Sequence, residues 1–162
     1  MRTHIRKAET RDLESLGRLG AMLMQTHSDF DPQRFLSTGQ GASRGYASFL
    51  GSVLDAPDER IFVAEQNGIV FGYVYVALEP QSWKELRGPA GFIHDLAVEE
   101  SARRSGVATE LMQAAIDWLR ERGAPRVILW TASPNAPAHT LFRRLGFRDT
   151  MIEMTLELTG IS

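Results

Sequence analysis

The 162-residue chain contains no cysteine. That excludes a disulfide framework, Cys-ligated zinc, iron–sulfur clusters and a thiol nucleophile, and it fits a reducing compartment. Lysine is scarce too, with Lys7 and Lys84 the only two among 18 basic side chains. No apolar run approaches the ~18 residues of a membrane span. The first residues, MRTHIRKAET, lack the apolar core of a signal peptide. A cytoplasmic protein with no membrane partner is therefore expected. No block of one charge sign stands out: residues 1–80 carry 8 basic and 10 acidic side chains, residues 81–162 carry 10 and 10, and the net charge is −2. Nucleic acid is not expected as a partner. No linker, repeat or low-complexity stretch interrupts the chain, so one domain over residues 1–162 is expected.

What is present reads as alternating periods. Thr3 to Lys7 suits a short strand, and Thr10 suits the N-cap of a helix carrying Leu13, Leu16, Leu19 and Leu23 at helical spacing. Residues 27–45 are rich in Gly, Ser and Asp and read as a long loop or broken helix. Tyr46, Phe49, Leu50, Val53 and Leu54 mark a second helix. RIFVAEQ and IVFGYVYVAL around Asn67-Gly68 form a hairpin. A loop follows over 79–91, then the buried strand FIHDLAV. Ala108 to Leu119 is a third helix, Val127 to Trp130 a strand, and Pro137 to Leu145 a short helix. Ile152, Met154, Leu156 and Leu158 alternate with Glu153, Thr155 and Glu157, which predicts a last strand with one wet face. Trp118 and Trp130 read as core residues.

The segment after the buried strand bears the chemistry. In Arg103-Arg104-Ser105-Gly106-Val107-Ala108-Thr109 a loop delivers backbone N–H groups to a helix N-terminus, which suits an anion. Glycine at 106 allows close backbone approach, and the two arginines add charge-assisted contacts.

This segment resembles the acetyl-CoA-binding motif [QR]-x-x-G-x-[GA] of the GNAT N-acetyltransferase superfamily. Two further tracts match in register: Leu96-Ala97-Val98 in the preceding strand, and Asn135, Ala138, Leu141, Phe142, Gly146 and Phe147 as N-x-x-A-x-x-L-F-x-x-x-G-F. The resemblance runs from Thr3 to Leu158. It implies a single-domain α/β GNAT-like fold, with a mixed central sheet of about six or seven strands flanked by about four helices. It implies acetyl-CoA as co-substrate and no metal. By resemblance, Leu96, Ala97 and Val98 hold the pantetheine arm, Arg103 to Thr109 the pyrophosphate, Asn135 the pantetheine chain, and Phe142 packs near the thioester.

The tract His94-x-Leu96-Ala97-Val98 is similar to the arylalkylamine branch, where a histidine here serves as base. An alkylamine with pKa near ~10.4 costs roughly 4–5 kcal/mol to deprotonate at pH 7, so a base is useful. His94 is the candidate and Asp95 its rival; strand alternation sends the two to opposite faces. Phe142 departs from the tyrosine that many members use as general acid, which leaves the leaving thiolate without an obvious proton donor. Tyr75, Thr131, Ser133 and His139 are candidate substitutes. The acceptor site is expected from the variable loops, which offer Phe30 among others: Asp29 and Asp31 to pair a cationic amine, and Phe35 and Tyr46 to cover an apolar one. The acceptor reads as a small-molecule amine. A protein N-terminus or lysine, and a non-catalytic acyl-CoA sensor, remain alternatives. The last strand suggests a homodimer.

Overall fold

The computed structural model describes residues 2–160. Five strands form one sheet in the order β1-β2-β3-β4-β5: β1 His4–Lys7, β2 Glu59–Gln66, β3 Ile69–Glu79, β4 Ala90–Val98 and β5 Val127–Leu129. The first four run antiparallel, and β5 lies parallel to β4. Four helices cover the sheet: α1 Leu13–Phe30 and α2 Ala42–Gly51 on one face, α3 Val107–Glu121 and α4 Ala136–Arg144 on the other.

Each face buries what its strands alternate toward it. Ile61, Val63, Tyr73, Tyr75 and Ala97 meet Leu16, Leu19 and Leu50 of the first layer. Ala64, Val74, Val76, Ile93 and Val98 meet Leu111, Met112, Ala115 and Trp118 of α3. Helices this short owe most of their stability to such packing. At Gly91 the sheet approaches α3 so closely that a Cβ would lie 2.9 Å from Leu119 Cγ.

Several expectations are corrected. The sheet has five strands, not six or seven, because residues 147–160 form no strand. Alternation there marks a face that asks for cover, but no described strand pairs with the segment, which Arg34 meets only through the Glu153 side chain. Helix α1 runs on through Phe30, so the expected loop at 27–45 shrinks to residues 31–41. Thr10 is not the cap. A 3-10 turn at Thr10–Asp12 starts at Glu9, whose side chain and that of Asp12 close a capping box. Trp118 is buried, but Trp130 is 77% exposed, because β5 is a three-residue edge strand that ends just before it. No helix among the described residues is long and apolar enough to cross a membrane.

Candidate active site

Strand β4 changes partners along its length. Gly91, Phe92 and Ile93 pair with Val127, Ile128 and Leu129; there β5 ends, while β4 runs on to Val98. Its outer edge beyond Ile93 therefore has no strand partner among the described residues. On the other edge Asp95 pairs with Tyr75 and Ile93 with Val76, which leaves His94 as the extra residue of a bulge.

That bulge overturns the expected alternation. Ile93, Leu96 and Val98 pack toward α3, while Ala97 and Asp95 face α1 and α2. His94 turns to the same side as Asp95, against Tyr75. Its ring lies 5.1 Å from that of Tyr75 and stacks at 15° on Phe92, 5.7 Å away. Its Nε2 is 3.1 Å from Glu79 Oε1, and the side chain is 37% exposed.

Asp95 sits deeper. It accepts hydrogen bonds from the Tyr46 hydroxyl, delivered by α2, and from the Tyr73 hydroxyl at 2.9 Å. Burial raises its pKa, against the opposing pull of those two donors. Burial and the Asp95 charge drive both tyrosines well above the usual phenol value. Asp95 is thus a carboxylate occupied by two phenols, whereas the His94 ring is partly exposed.

Around them the rings form a belt. Tyr46 lies 5.6 Å from Phe49, Phe49 is 6.0 Å from Tyr75, and Phe92 is 6.2 Å from Trp130. Phe49, Phe92, Trp130 and Glu79 carry no sequence motif. Strand pairing brings Glu79 to His94, while Phe49 and Trp130 reach the rings of Tyr75 and Phe92 that flank it.

The anion loop leaves the end of β4. Residues Glu100–Ala102 make a 3-10 turn, Arg103 Nε bonds Val98 O at 3.1 Å, and Ser105 Oγ donates to Ala102 O. Arg104 and Gly106 take left-handed φ values of +67° and +89°. Gly106 caps α3 without a side chain, so the first N–H groups of Val107, Ala108 and Thr109 have no intrahelical partner. A Cβ at Gly106 would meet no protein atom within 4 Å. An unpaired strand edge followed by an open helix N-terminus fits a co-substrate with an amide arm and a pyrophosphate.

A model of the acetyltransferase (GNAT) family matches residues 21–147. The chain belongs to the GNAT acetyltransferase family. It is 36% identical over 86 residues to N-alpha-acetyltransferase 30 of Schizosaccharomyces pombe, covering 53% of this chain and 55% of that one. It is 34% identical over 88 residues to mycothiol acetyltransferase of Saccharomonospora viridis, where those figures are 53% and 29%. The chain thus spans from under a third to just over half of these relatives' lengths. An uncharacterized N-acetyltransferase of Bacillus subtilis, YhfO, is 29% identical over 148 residues, 90% of each chain. Among solved structures, a tetramutant of the BH1408 protein from Bacillus halodurans superposes with TM-score 0.80 at 21% identity, over 96% of this chain and 99% of that one. The aminoglycoside N-acetyltransferase AAC(6')-Iy, solved with CoA, has TM-score 0.75 at 19% identity, over 96% and 94%. These two share the fold.

Other residues expected in the GNAT site fall as follows. Asn135 caps α4, its Oδ1 accepting from Ala138 N at 3.3 Å, and no partner of its side-chain NH2 is found among the described residues. Phe142 packs 5.9 Å from Phe147 on the α3 side of the sheet. Phe30 and Phe35 gather around His27, at 5.9 and 5.0 Å. Asp29 points outward and accepts from Gln25 Nε2 at 2.7 Å. No cluster of three or more His, Asp or Glu side chains among the described residues has the arrangement to hold a metal ion.

Proposed function

We propose that this GNAT acetyltransferase moves an acetyl group from acetyl-CoA directly to the primary amine of a small molecule, with His94 taking the amine proton, directly or through one water. The observation that carries the reading is the separation of β4 from β5 after the Ile93–Leu129 pair. It leaves an exposed imidazole and an unpaired strand edge on the strand that leads to the open N-terminus of α3.

Acetyl-CoA supplies an acetyl group already activated as a thioester. In this reading the Leu96–Val98 edge pairs with the pantetheine amides as a strand edge pairs with a peptide. The N–H groups from Arg104 to Thr109 hold the pyrophosphate, that of Arg103 being bonded to Glu100 O; the Asn135 amide donates to the pantetheine chain, and Phe142 lines the thioester end. The Val98 N–H is the donor to the developing oxyanion. Asp95 supports the site by anchoring Tyr46. Tyr75 is a poor substitute acid: its hydroxyl donates to Glu59, and burial and that carboxylate push its pKa upward. A thiol with pKa near ~8.5 leaves tolerably without one.

The amine acceptor is read from the rings. Phe49 and Trp130 are 46% and 77% exposed, and each rests on a buried ring beside His94. Such rings favour an amine carried on an aromatic or apolar body. A protein N-terminus is the second reading, favoured by the likeness to the N-alpha-acetyltransferase of fission yeast. A panel of ring-bearing amines, aliphatic amines and peptides, read by thiol release and product mass, tests both. An acetylated ring-bearing amine supports the first reading. Acetylation confined to peptides replaces it with the second.

A second copy of this chain is the proposed cover for residues 151–158. Met151, Ile152, Met154, Leu156 and Leu158 are each 81–91% exposed, and β5 pairs on one side only. Reciprocal addition of each segment to the other copy's β5 edge satisfies both, with two-fold symmetry. Five such side chains bury roughly 60–120 Å² each, a large share of the ~800 Å² per partner in a standard interface. A cytoplasmic location belongs to the same reading.

A further inference from the structure

The imidazole of His94 is held in one orientation by three neighbours. Phe92 stacks beneath it, Tyr75 packs against it, and Glu79, the last residue of β3, meets Nε2 at 3.1 Å. A carboxylate accepts and does not donate. A neutral imidazole beside it therefore carries its hydrogen on Nε2, and the lone pair lies on Nδ1.

We infer that Glu79 is a positioning residue that fixes the Nε2–H tautomer of His94 and makes Nδ1 the atom that accepts the amine proton. The inference rests on the role proposed for His94. It assigns a function to Glu79, which carries no motif and meets His94 across the β3–β4 pair. When Nδ1 takes a proton from the attacking ammonium or amine, the imidazolium has both nitrogens protonated. Its Nε2–H then points at a carboxylate that stabilises the new charge. Other charged or titratable groups around the ring are Asp95 on β4, Glu59 reached through the Tyr75 hydroxyl, His27 of α1 toward Asp95, and Arg87, whose guanidinium lies 4.9 Å from the Phe92 ring. None of these contacts a nitrogen of the imidazole.

The test uses the whole protein with ¹⁵N-labelled histidine. There are four histidines, and the signals of His94 are those lost in His94→Asn. Long-range ¹⁵N–¹H spectra above the imidazole transition report which nitrogen bears hydrogen. The expected result is hydrogen on Nε2 in the wild type, a mixture of tautomers in Glu79→Ala, and recovery of the Nε2–H form in Glu79→Gln, whose amide oxygen still accepts. In turnover, Glu79→Ala lowers kcat about tenfold or more, part of the 10²–10⁴ that a general base contributes, with KM for acetyl-CoA unchanged. Glu79→Gln regains part of the rate, because its amide oxygen still holds the Nε2–H form. Hydrogen on Nδ1 in the wild type, or one tautomer pattern in all three proteins, overturns the inference. Absence of turnover with every amine would count against the proposed function instead, since the tautomer is read without catalysis.

Discussion

Tyr46 occupies the space that a side chain at Gly20 would need. A Cβ built on Gly20 overlaps the Tyr46 ring, lying 2.9 Å from its Cγ. Gly17, one turn earlier, lies as close to α2, with Ala47 Cβ 2.8 Å from such a Cβ. The Gly17-x-x-Gly20 notch in α1 seats α2 and so brings the Tyr46 hydroxyl to Asp95 in the floor of the candidate site. Gly20→Ala is expected to cost about 1–3 kcal/mol by overpacking. Tyr46→Phe is expected to cost a similar ~1–3 kcal/mol by stripping a donor from a buried carboxylate. In a Tyr46→Ala background the Gly20→Ala change should cost little, because the clash is gone. Urea denaturation of the four proteins reads that coupling directly.

Stability against acid should depend on one buried pair. Arg6 donates to Asp12 at 2.8 and 2.9 Å, with side chains 14% and 4% exposed. Burial alone would raise the Asp12 pKa; the Arg6 hydrogen bonds and the Glu9 N–H bring it below its ordinary 3.8. A carboxylate depressed in the folded state contributes stability above its unfolded pKa and loses it as pH falls through the folded value. The wild type should therefore weaken as pH drops below about 4. Arg6→Gln should lose about 3 kcal/mol at pH 7 by leaving Asp12 unpaired. Asp95 has the opposite sign: its raised pKa makes its charge cost stability as pH climbs above 3.8 and through its folded value. Asp95→Asn should flatten that part of the curve.

Gly106→Asp should abolish acetyl-CoA binding while leaving a folded protein. The substitution costs about 1–2 kcal/mol for a left-handed residue, and no protein atom blocks the new side chain. Its charge would face the pyrophosphate. Calorimetry with wild type and variant checks this; equal affinity would remove the loop from the account.

Trp130→Ala and Phe49→Ala should raise KM several-fold for a ring-bearing amine and leave KM for a short aliphatic amine unchanged. Both rings are exposed beside His94 and neither lies in the buried core. Steady-state kinetics on the two amine classes separates loss of acceptor binding from general damage.

Removal of residues 150–162 should convert a dimer into a monomer by light scattering. With no native cysteine, paired cysteines at Ile128 and Met154 provide a clean cross-link between copies. A wild-type monomer at micromolar concentration would rule out the second copy as cover.

Local signals carried most of the layer structure. The spacing of Leu111, Met112, Ala115, Trp118 and Leu119 defines α3, and Gly106 marks its start. The turn into α3 is local in sequence, so its left-handed Gly106 and open helix start were legible. The surroundings of His94 were not, because they depend on register. The bulge at His94 exists only in the pairing with Tyr75 and Val76, and it reverses the side to which Asp95 points. Glu79 lies 15 residues from His94, and Phe49 and Trp130 come from α2 and the end of β5. Composition hid the last turn of α1, where Ser28 and Asp29 look like loop. Alternation at 151–158 marks a surface to be covered without naming what covers it.

The account rests first on acetyl-CoA. A thermal-shift titration of the full chain with acetyl-CoA tests it most directly. Ligand at ~100 times its Kd stabilises by about 2.7 kcal/mol, a rise of several degrees in Tm for this size. The account predicts a saturable rise that Gly106→Asp abolishes. No shift at millimolar acetyl-CoA would contradict it.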